Sequence, residues 1–591
     1  LARVRRPDGQ TIFMDYDPET GDLWAQVYPT GARNFTYDDT TGNLENAAFT
    51  GGNLHYTWDG PLLESETWSA AASSNAVAGS VGRTYDASFR LASESVNGGH
   101  TVTFGYDDDD LVEAVGPLAL ERSPQTGLIT ATTLGVVGET LAYDPMGELS
   151  SQNAAIGGTP VYEVTYGRDA SGRITSKSET ILGTTKLYEY GYDERGRLAD
   201  VSTNGQATAH YDYDANGNRI GGFNLHGAIA ASYDQQDRLT RYTAGPLTAD
   251  YAYTVNGELE SRTVGNDVTQ YTYDVLGNLT QVVLPTSETI AYSSDGRDRR
   301  TVRQATGEAE RRWLWSGQLM AVAELDAGDA VTSRFVYATR TNVPDYLVRG
   351  GITYRILTDQ LGSPRLVIDA TTPGLTIPER IAQQLEHDEF GNVTTDLAAP
   401  GFTRLPFGFA GGLDDPRTGL VRFGARDYDP VVGRWTAKDP IGFEGETSNL
   451  YEYSFGDPVN RIDPAGTLSL AEGTAVTGIA ASLAGLSTLH LYGSESEKDC
   501  VQQFGSCMGG CFLAPGETTA MVAAGEAAGA WHTTSAWTHA ASRNLLYPLR
   551  SSIVRRRLLV GAAAGPASVL GAVICCEAQC LEAELQCAAK K

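Results

Sequence analysis

Two short elements carry the residue types best suited to chemistry. "KDPIGF" sets Asp439 before Pro440 and Gly442, and "IDPAGT" sets Asp463 before Pro464 and Gly466. By spacing alone each is a type I turn, with Asp at the first position, Pro at the second and Gly at the fourth. If a fold brings two such carboxyls together, they cannot both ionise cheaply. One keeps its proton near neutral pH, and the pair titrates as a unit that holds an acid beside a base.

A second set is sulfur. All seven cysteines lie at or after position 500. Cys500, Cys507 and Cys511 are spaced seven then four, and Cys576, Cys580 and Cys587 four then seven. Those offsets fall on one helix face. Two antiparallel helices would then join Cys500 to Cys587, Cys507 to Cys580 and Cys511 to Cys576 by disulfides, leaving Cys575 over. Coincidence or a metal cluster are the alternatives, but metal ligands more often come as Cys-x2-Cys, which is absent. His532 and His539 sit seven apart, with Glu517 and Glu526 upstream. That set suits a hydrolase or a metal as well as a surface helix with aromatic packing. No P-loop, HExxH or GxSxG is present, and neither a cofactor nor a metal is expected.

The elements that must position the two Asp residues are repeats. Clear copies read "YDPETGDL" at Tyr16, "YDDTTGNL" at Tyr37, "YDERGRL" at Tyr192, "YDANGNRI" at Tyr213 and "YDVLGNL" at Tyr273, with degenerate copies between them. A spacing near 20 or 21 residues fits two short strands and two turns. In each copy Tyr ends a strand with a large apolar ring and a polar tip. Asp starts a turn by accepting backbone N–H groups just downstream, and Gly supplies positive φ before the next strand. A single hairpin is marginal, so neighbouring copies must stack. These Tyr and Asp residues are therefore scaffold.

The formal net charge is −29, and only eight basic and nine acidic residues follow position 467, so nearly all of the charge lies before it. An acidic surface repels phosphates and argues against nucleic acid as a partner of the repeat region. The chain opens within a repeat, without Met, and reads as part of a longer protein.

The repeats resemble the Rhs/YD-repeat family over about four fifths of the chain, to Thr467. "YRILTDQLGSPRLVID" (354–369) and the long block 406–466, "PFGFAGGLDDPRTGLVRFGARDYDPVVGRWTAKDPIGF…NRIDPAG", are similar to the family's associated core region. The resemblance implies a mainly β fold: a spiral sheet forming a hollow cocoon, closed by the core domain. The expected domains are a shell over 1–353, a core with autoprotease over 354–467 and a variable effector over 468–591. It also implies that Asp439 and Asp463 act as an intramolecular aspartic protease, with Lys438 as the basic neighbour where the family often has Arg. The cut would follow the second Asp-Pro-x-Gly, after Thr467 or Leu468; the family usually has Leu where Thr467 stands. Arg426 and Asp427 read as structural polar residues of the core.

The segment 468–591 is rich in Ala, Gly and Leu and reads as a small α-helical, Cys-rich domain. An apolar run of about 19 residues behind Arg555, Arg556 and Arg557 has the length to span a bilayer, while Pro566 and its glycines favour a buried helix. Two functions follow. In the first, the chain is a secreted or delivered bacterial toxin carrier. It encloses its own C-terminal domain as cargo, and its partners are a secretion or toxin complex, an immunity protein and, for the cargo, a target membrane. In the second, the chain is a cell-surface adhesion shell whose tail is a disulfide-stapled cap or membrane anchor, and it stays uncut.

Overall fold

The computed structural model describes residues 3–72, 74–445, 447–467 and 470–471. The expected C-terminal helices and the three Cys pairs lie outside the described residues. Two compact units divide the chain: residues 1–13 with 25–477 form one, and 14–24 belong to the other. Of the second unit, the described part is the Tyr16-Asp17 turn, in which the Gly21 N–H reaches the Asp17 carbonyl at 2.9 Å.

The first unit is almost entirely β, as expected, with one short α-helix at Ile377–Arg380 among the described residues. Strand after strand pairs antiparallel with the next, from Gly31–Tyr37 to Val393–Ala398, in one continuous meander. The strand–turn–strand of 354–369 is part of this same sheet. Along Gln206–Tyr213 the period-2 pattern decides which face is buried: Ala209 and Tyr211 point to the core, while Asp212 stays exposed.

The copy at Tyr192 shows how such a turn closes. Asp193 Oδ1 accepts the N–H groups of Arg195 and Arg197, both at 2.9 Å, and its Oδ2 accepts Arg197 Nε at 2.7 Å. Gly196 takes φ +83° within this turn. Arg197 then reaches on to the next copy, donating to the Asp214 carbonyl and stacking 4.5 Å over the Tyr213 ring. The Tyr213 hydroxyl in turn donates back to the Leu198 carbonyl at 2.8 Å. The residue four positions after Asp is thus a coupler between neighbours. It is Arg again at Arg90, Arg173 and Arg238, and Asn at Asn218, Asn278 and Asn392.

The sheet also returns against itself. Arg299 meets Glu66, 233 residues away, at 2.6 Å. Arg334 meets Glu94 at 2.8 Å and Arg355 meets Glu139 at 2.6 Å. All six side chains are buried. These charges are tolerated there because each is paired and further hydrogen-bonded.

The segment after the meander packs as a separate small sheet, Leu413–Asp415, Leu420–Phe423, Arg426–Asp429 and Arg434–Trp435. Its core is aromatic: Phe409, Phe423, Tyr428, Trp435 and Tyr453 meet edge to face or tilted. It is fastened to the turns of successive repeats. Asn460 donates to the Tyr192 hydroxyl, Asn449 to Asn218, Arg434 to the Asp237 carbonyl and Tyr451 to the Gly257 carbonyl. This lattice of contacts fixes the two Asp-Pro-x-Gly elements.

Candidate functional site

Both elements form the turns expected of them. Gly442 N–H reaches the Asp439 carbonyl at 3.0 Å, and Gly466 N–H reaches the Asp463 carbonyl at 3.2 Å. The two glycines differ in what surrounds them. A β-carbon on Gly442 would meet open space. One on Gly466 (φ +67°) would come within 2.5 Å of the Phe423 carbonyl oxygen and 2.9 Å of Arg426 N. The second turn is therefore pressed backbone to backbone against the Phe423–Arg426 hairpin, which no side chain at 466 would allow. The Ala425 N–H, bonded to the Ala465 carbonyl at 2.9 Å, holds it there.

This seating brings the two carboxyls to one cation. Arg426 Nη2 lies 2.8 Å from Asp439 Oδ2 and 3.1 Å from Asp463 Oδ2. Arg426 Nε donates to the Gly466 carbonyl at 2.5 Å, and Nη1 to the Leu450 carbonyl at 3.3 Å. The guanidinium is stacked 4.1 Å over Trp435. Arg426, Asp439 and Asp463 are 4 %, 7 % and 3 % exposed, so water does little to screen the three charges. Burial pushes Asp439 up to about 6, with Arg426 pulling the other way. Burial also lowers Arg426 from the usual guanidinium range.

The chain that follows the second turn lies against this pair. Thr467 N–H donates to Asp463 Oδ1 at 3.0 Å. A β-carbon on Gly445 would sit 3.1 Å from Asp439 Oδ2 and 3.2 Å from the Thr467 carbonyl oxygen. Asp439 Oδ2 and the Thr467 carbonyl oxygen therefore both border the space that a side chain at 445 would fill. Beyond it, Leu470–Ala471 pair antiparallel with Arg461–Ile462. Leu468 lies outside the described residues.

Asp439 and Asp463 thus share Arg426, and Thr467 N–H lies on Asp463, but Lys438 does not join them. Its ammonium contacts Gln236 at 3.2 Å on the exposed side of the turn. Consecutive residues at the mouth of a tight turn point different ways, and adjacency in sequence is a poor guide there. The basic partner is Arg426, thirteen residues before Asp439. Arg426 was read together with Asp427 as a structural residue of the core, whereas it binds both carboxyls; Asp427 itself is bound to Arg300 at 2.9 Å and Arg422 at 3.0 Å. Gly445 carried no sequence signal beyond being glycine. Arg426 carried a weak one, as a charged residue in an otherwise strand-like run.

Comparison with known proteins gives three results. The family described as Teneurin YD-shell matches residues 1–459, a span that includes Asp439 and ends just before Asp463. Teneurin-4 of Mus musculus is 27 % identical over 478 residues, covering 77 % of this chain and 16 % of the relative. The double-stranded DNA deaminase toxin A of Burkholderia cenocepacia (strain H111) is 27 % identical over 375 residues, covering 56 % of this chain and 25 % of the relative. The chain thus spans about a sixth of the teneurins and a quarter of the toxin. Among solved structures, TcdB2-TccC3-TEV superposes with a TM-score of 0.58 at 15 % identity, covering 78 % of this chain and 26 % of that one. A Photorhabdus luminescens Tc holotoxin pore with mutated TccC3 gives 0.59 at 14 %, covering 80 % and 27 %. At these identities the structural likeness establishes the fold.

Proposed function

The chain belongs to the Teneurin YD-shell family, and we propose that it is the shell of a toxin-type carrier that severs its own C-terminal segment just after Thr467. The observation that carries this reading is the pair Asp439 and Asp463 on one buried guanidinium, with Asp439 Oδ2 and the Thr467 carbonyl oxygen both bordering the open space at Gly445.

The chemistry follows from that geometry. Protonated Asp439 donates a hydrogen bond to the Thr467 carbonyl oxygen and draws electron density from its carbon. Ionised Asp463 takes a proton from a water molecule as the water oxygen bonds to that carbon. The tetrahedral species collapses, the C–N bond breaks, and the departing nitrogen takes up the proton. A new carboxylate ends one piece and a new amine begins the other. Because the bond is held beside the pair by its own chain, the reaction is intramolecular and its entropic cost is small. Glycine at 445 and 466 lets the backbone come that close.

On this reading the segment after the cut is cargo kept by the shell, and the chain works as part of an exported complex. The likeness of the fold to Tc toxin components and the partial likeness to a named toxin support it. A second reading, a structural shell whose chain stays whole, draws on the teneurin relatives. N-terminal sequencing of the purified protein separates the two. A second sequence beginning at Leu468 supports the carrier cut at the Thr467 carbonyl, one beginning at Ser469 keeps the carrier but overturns that choice of bond, and one sequence only, from the chain's own start, supports the structural shell.

A further inference from the structure

We infer that Arg426 is the positioning residue of this site, and that its one guanidinium both aligns the two carboxyls with the peptide to be cut and fixes how many protons the pair holds. The inference rests on the self-cleavage reading and adds a group which that reading does not require.

Three observations carry it. First, all three nitrogens of the guanidinium are committed within the site: Nη2 to Asp439 and Asp463, Nε to the Gly466 carbonyl, Nη1 to the Leu450 carbonyl. The Leu450 carbonyl also accepts the Asp439 N–H at 3.0 Å, so Arg426 grips the first turn by both its side chain and its backbone partner. On the second turn it grips Asp463 and the carbonyl one residue before Thr467. A planar fork spans these points; a lysine ammonium, being a point charge, does not. Second, the guanidinium is itself held. Its face is stacked on Trp435, and both neighbours in sequence are pinned, Ala425 by Ala465 and Asp427 by Arg300 and Arg422. Third, the charges that act on Asp439 are those of Arg426 and Asp463, and Lys438 points away to Gln236. One cation against two carboxyls in a buried place balances when the pair carries a single proton, the state in which one carboxyl is an acid and the other a base.

The test uses the full chain of 591 residues made by cell-free synthesis, with the appearance of the small piece followed in buffers from pH 5 to pH 8. Arg426→Lys and a chain with citrulline at position 426 are compared with the wild type and with Asp439→Asn. Citrulline keeps the shape and the stacking on Trp435 but has no charge. It therefore remains informative even where Arg426→Lys does not fold, as judged by its melting curve. Both variants are expected to cut about a hundred-fold more slowly, the scale of loss for a reacting group displaced by about an ångström. The residual cutting of the citrulline chain is expected to have its pH profile moved to higher pH, because without the cation the carboxyls hold their protons more tightly. Wild-type rates in either folded variant overturn the inference. So does slow cutting with an unmoved profile, which leaves Arg426 as scaffold alone. Cutting in Asp439→Asn overturns the cleavage reading itself and is told apart from both.

Discussion

The ion pair of Arg355 and Glu139 is the sharpest test of what holds the returning sheet closed. The two side chains are 5 % exposed each and 2.6 Å apart, 216 residues from one another in sequence. Glu139 also accepts Thr132 Oγ1 at 2.8 Å and Gln152 Nε2 at 2.6 Å. Arg355 also donates to the carbonyls of Asp345 and Ile356. Glu139→Ala removes the carboxylate and leaves a buried guanidinium, together with a hydroxyl and an amide that lose their acceptor. Breaking a buried pair in this way costs about 3–5 kcal/mol. Arg355→Met leaves the carboxylate with its two neutral donors and is expected to cost about as much. The double variant strands neither Glu139 nor Arg355, although Asp345, 3.5 Å from Arg355, still loses its cation, so its cost should fall short of the sum, with a coupling of about 2–3 kcal/mol between the sites. Urea unfolding followed by far-ultraviolet dichroism, with limited proteolysis to report opening of the sheet, gives the four corners of the cycle. Two single variants within 1 kcal/mol of the wild type, or strictly additive costs, would refute the view that this contact closes the sheet.

Other outcomes follow from the same contacts. Gly445→Ala places a methyl about 3.1 Å from Asp439 Oδ2 and 3.2 Å from the Thr467 oxygen. Self-cleavage should slow by roughly tenfold with little change in melting temperature, and an unchanged rate would show that the gap is not used. Asp193→Ala removes three bonds of one repeat turn and should cost about 2 kcal/mol by urea titration, whereas a loss below 0.5 kcal/mol would deny the turn its role. Burial holds Glu452 up at about 7, so the folded chain keeps a proton that the unfolded chain releases above about 4.5. Its contribution is complete below that value and is lost as pH rises towards 7, at most about 3 kcal/mol. Glu452→Gln should therefore flatten the decline in melting temperature between pH 5 and pH 7.5, and an unaltered slope would place the titrating group elsewhere.

The sequence carried the repeat because its signals are local. Tyr ends a strand, Asp receives the next N–H groups, and Gly turns the chain, all within five residues. The coupler four residues after Asp was not singled out, since it acts by reaching the following repeat as well as its own turn. The seam of Arg299, Arg334 and Arg355 was invisible for the opposite reason. Nothing in a linear pattern says which glutamate more than 200 residues away an arginine will meet. The sheet's continuation through Val393–Ala398 was hidden in the same way, because the strands between 354 and 398 lack the Tyr-Asp mark. At the site, the two Asp-Pro-x-Gly turns announced themselves, whereas their cation did not. Lys438 adjoins Asp439 along the chain, yet the turn sends it outward, and the small sheet delivers Arg426 from thirteen residues upstream.

The intact mass of the purified protein, reduced and denatured, tests the central claim most directly when run beside Asp439→Asn. The account predicts two wild-type species whose masses add to the whole chain plus one water, with the boundary at Thr467 or Leu468, and one full-length species in the variant. A single full-length mass in both would contradict it, and would reduce Asp439 and Asp463 to the two turns that their spacing alone describes.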